Sequence, residues 1–244
     1  MSAGTDSSVT IAVVVFPGSN CEHDAAQALT GLGARAELVW HTQKSLEGYD
    51  AVVVPGGFAH GDYLRPGAIA RFSPVMKAVC EAAEAGLPVL GICNGFQVLT
   101  EAHLLPGALV RNVGGRFLCT TVECEVVSTA SMLTAGAFVG QRLRLPINHF
   151  EGNYTASAET LVALEAGGLI PLRYIDNQNG SMDSIAAVAN AAGNVVGLMP
   201  HPERACTSLM GSSDGRLLLQ SFVTAAADRT GRAGAIHATA TTGA

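Results

Sequence analysis

Residues 88–97 read PVLGICNGFQ, which sets Cys93 between Gly91 and Gly95 where an apolar run meets a helix-like one. This G-x-C-x-G pattern is the thiol form of a nucleophile elbow, a sharp strand-to-helix turn that lifts one side chain into a crevice. Glycines on both sides remove Cβ atoms that would collide with the neighbouring chain. A helix starting at Asn94 aims its free N–H groups and positive dipole end at the sulfur, which stabilises negative charge there. The N–H of Asn94 is also placed to bind an oxyanion. Cys93 is the expected nucleophile.

A thiol nucleophile needs a base, and the base needs a group that orients it. Two segments offer His-x-Glu: NHFEG, with His149 and Glu151, and MPHPER, with His201 and Glu203. In extended chain, residues two apart point to the same side, so either glutamate could hold its own histidine. His201 follows the apolar run NVVGLM, which delivers it to a sheet edge, and Pro200 and Pro202 stiffen its backbone. It is therefore the better base. His149 and Glu151 are left either shaping the substrate side of the crevice, or as a satisfied loop histidine and its neighbour.

The remaining cysteines, at 21, 80, 119, 124 and 206, form no CxxC pair and no metal-ligand spacing, so no metal site is expected. Cys21 in SNCEHD has His23 and Asp24 close by, but adjacent helical residues do not face one another. All five are expected to be structural. A reduced, cytoplasmic protein follows from this cysteine usage.

These side chains need elements to hold them. VTIAVVVF (9–16) reads as a buried strand, followed by a helix over 22–31 closed by Gly31 and Gly33. AELVWH and YDAVVVPGGF read as strands, a helix is expected from Ile69 to Ala85, and PVLGIC is a fourth strand running into the helix GFQVLTEA. The order is β-α-β-β-α-β-α. That implies an open, mostly parallel, flavodoxin-like α/β sheet with helices on both faces. Ligands in such sheets bind outside the carboxyl ends of the strands, so the turns at Pro17, Pro55 and Cys93 share one crevice. GRFLCTTVECEVV and RLRLPINHF alternate polar and apolar residues, the mark of an added antiparallel section. SIAAVAN and NVVGLM read as strands joined by AAGN, and DGRLLLQSFVTAAADR as a closing helix with Asp214 as its N-cap. One domain over 9–228 is the expectation, with 1–8 and 229–244 disordered.

The chain is 48% hydrophobic but only 14% charged, with Lys44 and Lys77 its only lysines. Heavily buried surface, or surface covered by partner subunits, tolerates so few charges. A net charge of −6 and the lack of any Lys/Arg run argue against nucleic acid. IAVVVF and AVVV are stopped at once by Pro and Gly, so no membrane span is expected. MSAGTDSS has neither the basic nor the apolar region of a signal peptide.

Taken together, PGGF, GICNGFQ and MPHPE resemble the class I, triad-type glutamine amidotransferases. FPGSNCEHD, GGFAHGDYLRPGAIARF, HFEGNY and NGSMDSIAAV make the resemblance closest to the glutaminase subunits of phosphoribosylformylglycinamidine synthase, over nearly the whole chain. Pro66 and Phe150 stand where that family often has smaller residues. The resemblance implies Cys93 as nucleophile, His201 as base and acid, and Glu203 as its orienter. It further implies Gly57 as a second oxyanion N–H donor beside Asn94, and Gln97 as a recognition residue for L-glutamine.

The implied reaction hydrolyses glutamine to glutamate and ammonia through a thioester. The ammonia then serves a larger synthetase subunit, with a small bridging subunit, that makes formylglycinamidine ribonucleotide for purine (IMP) biosynthesis. No G-x-x-x-x-G-K-[ST] run is present, so this subunit is expected to hold no cofactor, with ATP and Mg on the partner synthetase. The competing readings are a glutaminase for another synthetase, a non-catalytic scaffold, and a thiol sensor.

Overall fold

The computed structural model describes residues 8–231. Its chain order is β1 (Thr10–Val15), α1 (Glu22–Thr30), β2 (Arg35–Trp40), β3 (Ala51–Val54), α2 (Pro74–Glu84), β4 (Val89–Ile92) and α3 (Asn94–Glu101). Then come β5 (Ala108–Val110), β6 (Leu118–Val126), β7 (Arg142–His149), β8 (Asn153–Thr155) and α4 (Ala158–Ala166). The chain closes with β9 (Leu172–Tyr174), β10 (Ala187–Ala189), β11 (Val195–Leu198) and α5 (Gly215–Thr230).

The main sheet has strand order β10-β11-β4-β3-β1-β2, parallel except for β10. Every residue of β3, β4 and β11 is buried, so both faces of the sheet centre are covered. That explains the unbroken Val/Leu/Ile runs, since strands covered on both sides have no polar face to alternate. The antiparallel section forms a second sheet, β7-β6-β9, in which Leu118 pairs with His149. A short pair, β5-β8, flanks it.

Three expectations change. The helix placed over 69–85 is two pieces, because Pro74 has no N–H to donate and forces the residue before it out of the helical region. Ser73 accordingly sits at φ −63°, ψ 142°, between a 3₁₀ turn at Ala70–Phe72 and α2. Asp214 precedes α5 but makes no side-chain cap; its Oδ2 accepts the backbone N–H of Arg144 at 2.7 Å. Helix α5 also runs to Thr230, past the expected end of order at 228, and stops at Gly231 with φ 72°. The expected disorder of 1–7 and 232–244 lies outside the described residues.

Candidate active site

Register places the site. β4 and β11 are adjacent and parallel, with Ile92 opposite Leu198. The residues that follow each strand therefore emerge side by side at the carboxyl edge of the sheet. Cys93 is next after β4, and the backbone N–H of Cys93 donates to Leu198 O at 2.8 Å. His201 follows β11 by three residues and is held from the other side, its N–H donating to Pro146 O of β7 at 2.8 Å. Two sheets thus clamp the His-Pro-Glu loop over the cysteine.

Cys93 has φ 50° and ψ −105°, a conformation costly for any residue with a Cβ. The surrounding packing enforces it. A Cβ on Gly95 would lie 1.8 Å from Val54 O, and one on Gly91 would lie 2.8 Å from the Gly95 backbone. Helix α3 can approach the end of β3 only because both are glycine. The Cys93 sulfur faces Asn148 O at 3.7 Å, so β7 also borders the thiol.

His201 and Glu203 are almost fully buried, and His201 Nδ1 meets Glu203 Oε1 at 2.6 Å. Burial alone would lower the imidazole pKa, but the Glu203 carboxylate and the Cys93 sulfur outweigh it and push it up to about 10. His201 Nε2 is in no formed hydrogen bond among the described residues, although the sulfur is close enough to act on the ring. The pair that spacing offered is made.

The second His-x-Glu is not a pair. His149 Nδ1 faces Asn112 Oδ1 at 3.1 Å, while the Glu151 carboxylate lies 3.6 Å from Arg111. Burial, and then the charge of His201, push the His149 pKa down to about 4. Sequence reasoning missed Asn112, which lies in VRNVGG with no motif to mark it.

Asn94 and Gln97 tie the walls together. Asn94 Oδ1 accepts the Ala59 N–H at 3.0 Å, and its Nδ2 donates to Asp62 Oδ1 and Gln97 Oε1 at 3.2 and 2.8 Å. Gln97 Nε2 donates to Glu151 O at 2.6 Å. Gly57, at φ 137°, packs so closely on Ser19 and Asn20 that a Cβ would come within 2.7 Å of the Asn20 nitrogen. Gly57, Asp62, Cys93, Gln97, His149 and Glu151 line one cavity of about 350 Å³. Asp62 is raised to about 6, first by burial and then by Glu151. A larger surface cavity of about 600 Å³ lies beside α2 and holds Lys44, Arg71 and Lys77, but neither Cys93 nor His201 lines it.

Cys21 is nearer the chemistry than its sequence setting implied. Its sulfur lies within 4.8 Å of ligand atoms of His201 and Glu203, a set that could in principle bind a metal ion. Arg204 Nη2 donates to the Cys21 sulfur at 3.2 Å, and His201 Nδ1 bonds Glu203 Oε1. Burial, and then Glu203, push the Cys21 thiol up to about 12. Arg204 also bonds Asp24 at 2.9 Å, so Cys21, Asp24 and Arg204 brace the loop from behind.

The model of the CobB/CobQ-like glutamine amidotransferase domain matches residues 8–216. Phosphoribosylformylglycinamidine synthase subunit PurQ of Thermomicrobium roseum is 54% identical over 222 residues, covering 87% of this chain and 94% of that one. The chain belongs to the PurQ family of glutamine amidotransferases. Its PurQ-family relative in Rubrobacter xylanophilus is 53% identical over 216 residues, covering 88% of this chain and 98% of the relative. Among solved structures, PurLQS from Thermotoga maritima contains a chain matching this PurQ-family fold with TM-score 0.83 and 40% identity, covering 89% and 98%. A putative GMP synthase subunit from Thermoplasma acidophilum, 16% identical with TM-score 0.65, shares the class I amidotransferase fold.

Proposed function

We propose that Cys93, His201 and Glu203 form the triad by which this chain hydrolyses glutamine. The observation that carries the reading is their convergence: a left-handed cysteine on the elbow after β4, beside a buried imidazole bonded to its own carboxylate. The Cys93 sulfur attacks the amide carbon. The Asn94 N–H, at the open end of α3, and the Gly57 N–H stabilise the oxyanion; one such donor is worth about 10²–10³ in rate. His201 gives its proton to the departing nitrogen, ammonia leaves a γ-glutamyl thioester, and His201 then activates water to release glutamate. The cavity suits a zwitterionic amino acid, since its wall carries Asp62 and Glu151 for an ammonium and Arg111 for a carboxylate, with Arg65 held beside them by Glu101.

As a PurQ-family protein the chain is the glutaminase component of phosphoribosylformylglycinamidine synthase, in purine biosynthesis. Its ammonia passes to the larger synthetase subunit, assembled with a small bridging subunit, and the match to a chain of PurLQS supports that assembly. ATP and Mg belong on the synthetase, which converts formylglycinamide ribonucleotide to the amidine. No helix among the described residues is long and apolar enough to cross a membrane. We place the protein in the cytoplasm, and read residues 9–228 as one amidotransferase domain, with α5 running on to Thr230.

The test is glutamate release by the chain alone, with its two partner subunits, and as Cys93→Ala. Weak release alone, a large rise in the complex and none from the variant support the reading. A Cys93→Ala protein as active as the parent refutes it.

A further inference from the structure

We propose that His149 Nε2 is the hydrogen-bond acceptor for the carboxamide NH₂ of glutamine, and so selects the amide over the acid at the reacting end of the cavity. This deepens the glutaminase reading above and rests on it.

The tautomer of His149 follows from its neighbour. Asn112 Nδ2 donates to Arg116 O and His149 O, both at 2.9 Å, which makes Oδ1 the acceptor side of that amide. Oδ1 takes the Gly152 N–H at 3.0 Å and also faces His149 Nδ1 at 3.1 Å. An amide oxygen has no proton to give, so Nδ1 carries the hydrogen and Nε2 of the neutral ring is a bare lone pair. Burial and His201 disfavour a second proton.

The ring is also fixed in place. A Cβ on Gly152 would lie 2.2–2.6 Å from three of its atoms, so glycine there lets the chain pack flat against the imidazole. His149 is 3% exposed, and its Nε2 has no partner among the described residues. A buried acceptor without a donor is costly, and beside a cavity its donor comes from water, an ion or a bound ligand. His149 lines the cavity that contains Cys93.

Glutamine brings two kinds of donor. Its α-ammonium is a cation, matched by the Asp62 and Glu151 carboxylates on the cavity wall. Its carboxamide is the neutral donor at the reacting end, where His149 and His201 are close enough to influence each other's charge. When the Cys93 sulfur forms its bond to carbon and the C–N bond breaks, the proton reaching nitrogen comes from His201. The His149 lone pair holds an N–H throughout and neither gives nor takes a proton, so the nitrogen leaves as NH₃. Glutamate, with two oxygen lone-pair faces at the same spot, is repelled and departs.

The experiment compares glutamine with γ-glutamyl methyl ester, which keeps the α-ammonium but has no N–H on the leaving group. Full-length wild type, His149→Leu, His149→Gln and Cys93→Ala are assayed in the complex with the synthetase and bridging subunits. The expected result is a fall of about 30–100-fold in kcat/KM for glutamine in His149→Leu, with the ester changed less than about 3-fold, and partial recovery in His149→Gln, whose amide oxygen can accept. Retained ester hydrolysis reports that the variant is folded. Equal loss on both substrates in His149→Leu, with ester activity retained by His149→Gln, assigns the ring to the α-ammonium or to packing and overturns the proposal. Unchanged glutamine turnover in His149→Leu overturns it as well. Failure of the glutaminase reading itself looks different: Cys93→Ala would then match wild type on both substrates.

Discussion

His149–Glu151 and His201–Glu203 have the same spacing and opposite fates. One histidine is bonded to its own glutamate and favours its charged form; the other is bonded to an asparagine from a distant loop and is held neutral. Burial is nearly equal, so burial does not separate them. The partner at Nδ1 does. A carboxylate stabilises an imidazolium, whereas an amide oxygen fixes only a tautomer. The backbone chooses the partner: Pro202 starts a 3₁₀ turn that folds Glu203 back onto His201, while Glu151 turns away to Arg111.

The largest effect should come from removing the charged member. His201→Ala is expected to lower kcat for glutamate release by about 10³–10⁴-fold or more, with little change in KM, because it acts on the transition state. An effect as small as that of His149→Leu would erase the distinction between the two histidines.

Glu203→Gln tests the partner directly, keeping shape while removing charge; a kcat loss of about 10²–10⁴-fold is expected. It also has a stability signature. The folded pKa of His201 lies above its ordinary value, so its contribution is fully present below about pH 6.5 and is lost as pH rises through about 10. The stability gap between wild type and Glu203→Gln should therefore narrow across that window in denaturant titrations.

Asn112→Asp runs the comparison in reverse by giving His149 a carboxylate. The His149 pKa should rise, as read by NMR titration of the ring protons. The fold should lose about 1–3 kcal/mol, because Arg116 O and His149 O lose their donor. An unmoved His149 titration would show that burial alone keeps the ring neutral.

Asp62→Asn is expected to raise KM for glutamine by about 10-fold while sparing kcat. Its folded pKa is raised, so the wild-type carboxylate costs stability above about pH 6 and progressively less as pH falls toward 4. The variant should be more stable by roughly 1 kcal/mol at pH 8, after allowance for its partial exposure. Smallest of all, Cys21→Ser should leave glutamate release within about 3-fold, since a hydroxyl still accepts from Arg204. A far larger loss would place Cys21 in the chemistry rather than behind it.

Local chemistry was legible wherever a rule acts over a few residues. The elbow, the apolar parallel strands and the β10–β11 hairpin follow from glycine sterics and side-chain periodicity. The break at Pro74 between the 3₁₀ turn and α2 was missed although proline chemistry marks it, because the apolar pattern runs on across it. α4 was missed because its apolar and polar residues share no clear face and only Leu164 is buried. Asn112 and Arg204 were missed for another reason. Their roles depend on contacts with residues 37 and 180 positions away, which no local pattern encodes.

By itself, then, the sequence determined the parallel α/β class, the thiol on its strained turn, and His201 with Glu203 as the His-x-Glu that sits at the sheet edge. Each rests on interactions between near neighbours in the chain. Only the tertiary structure decided which histidine favours its charged form, that Cys21 braces the His-Pro-Glu loop, and that β7 closes over the Cys93 sulfur. Those outcomes depend on burial and on hydrogen-bond partners from distant segments, and a group's charge is set by its surroundings in space, not by its place in the chain.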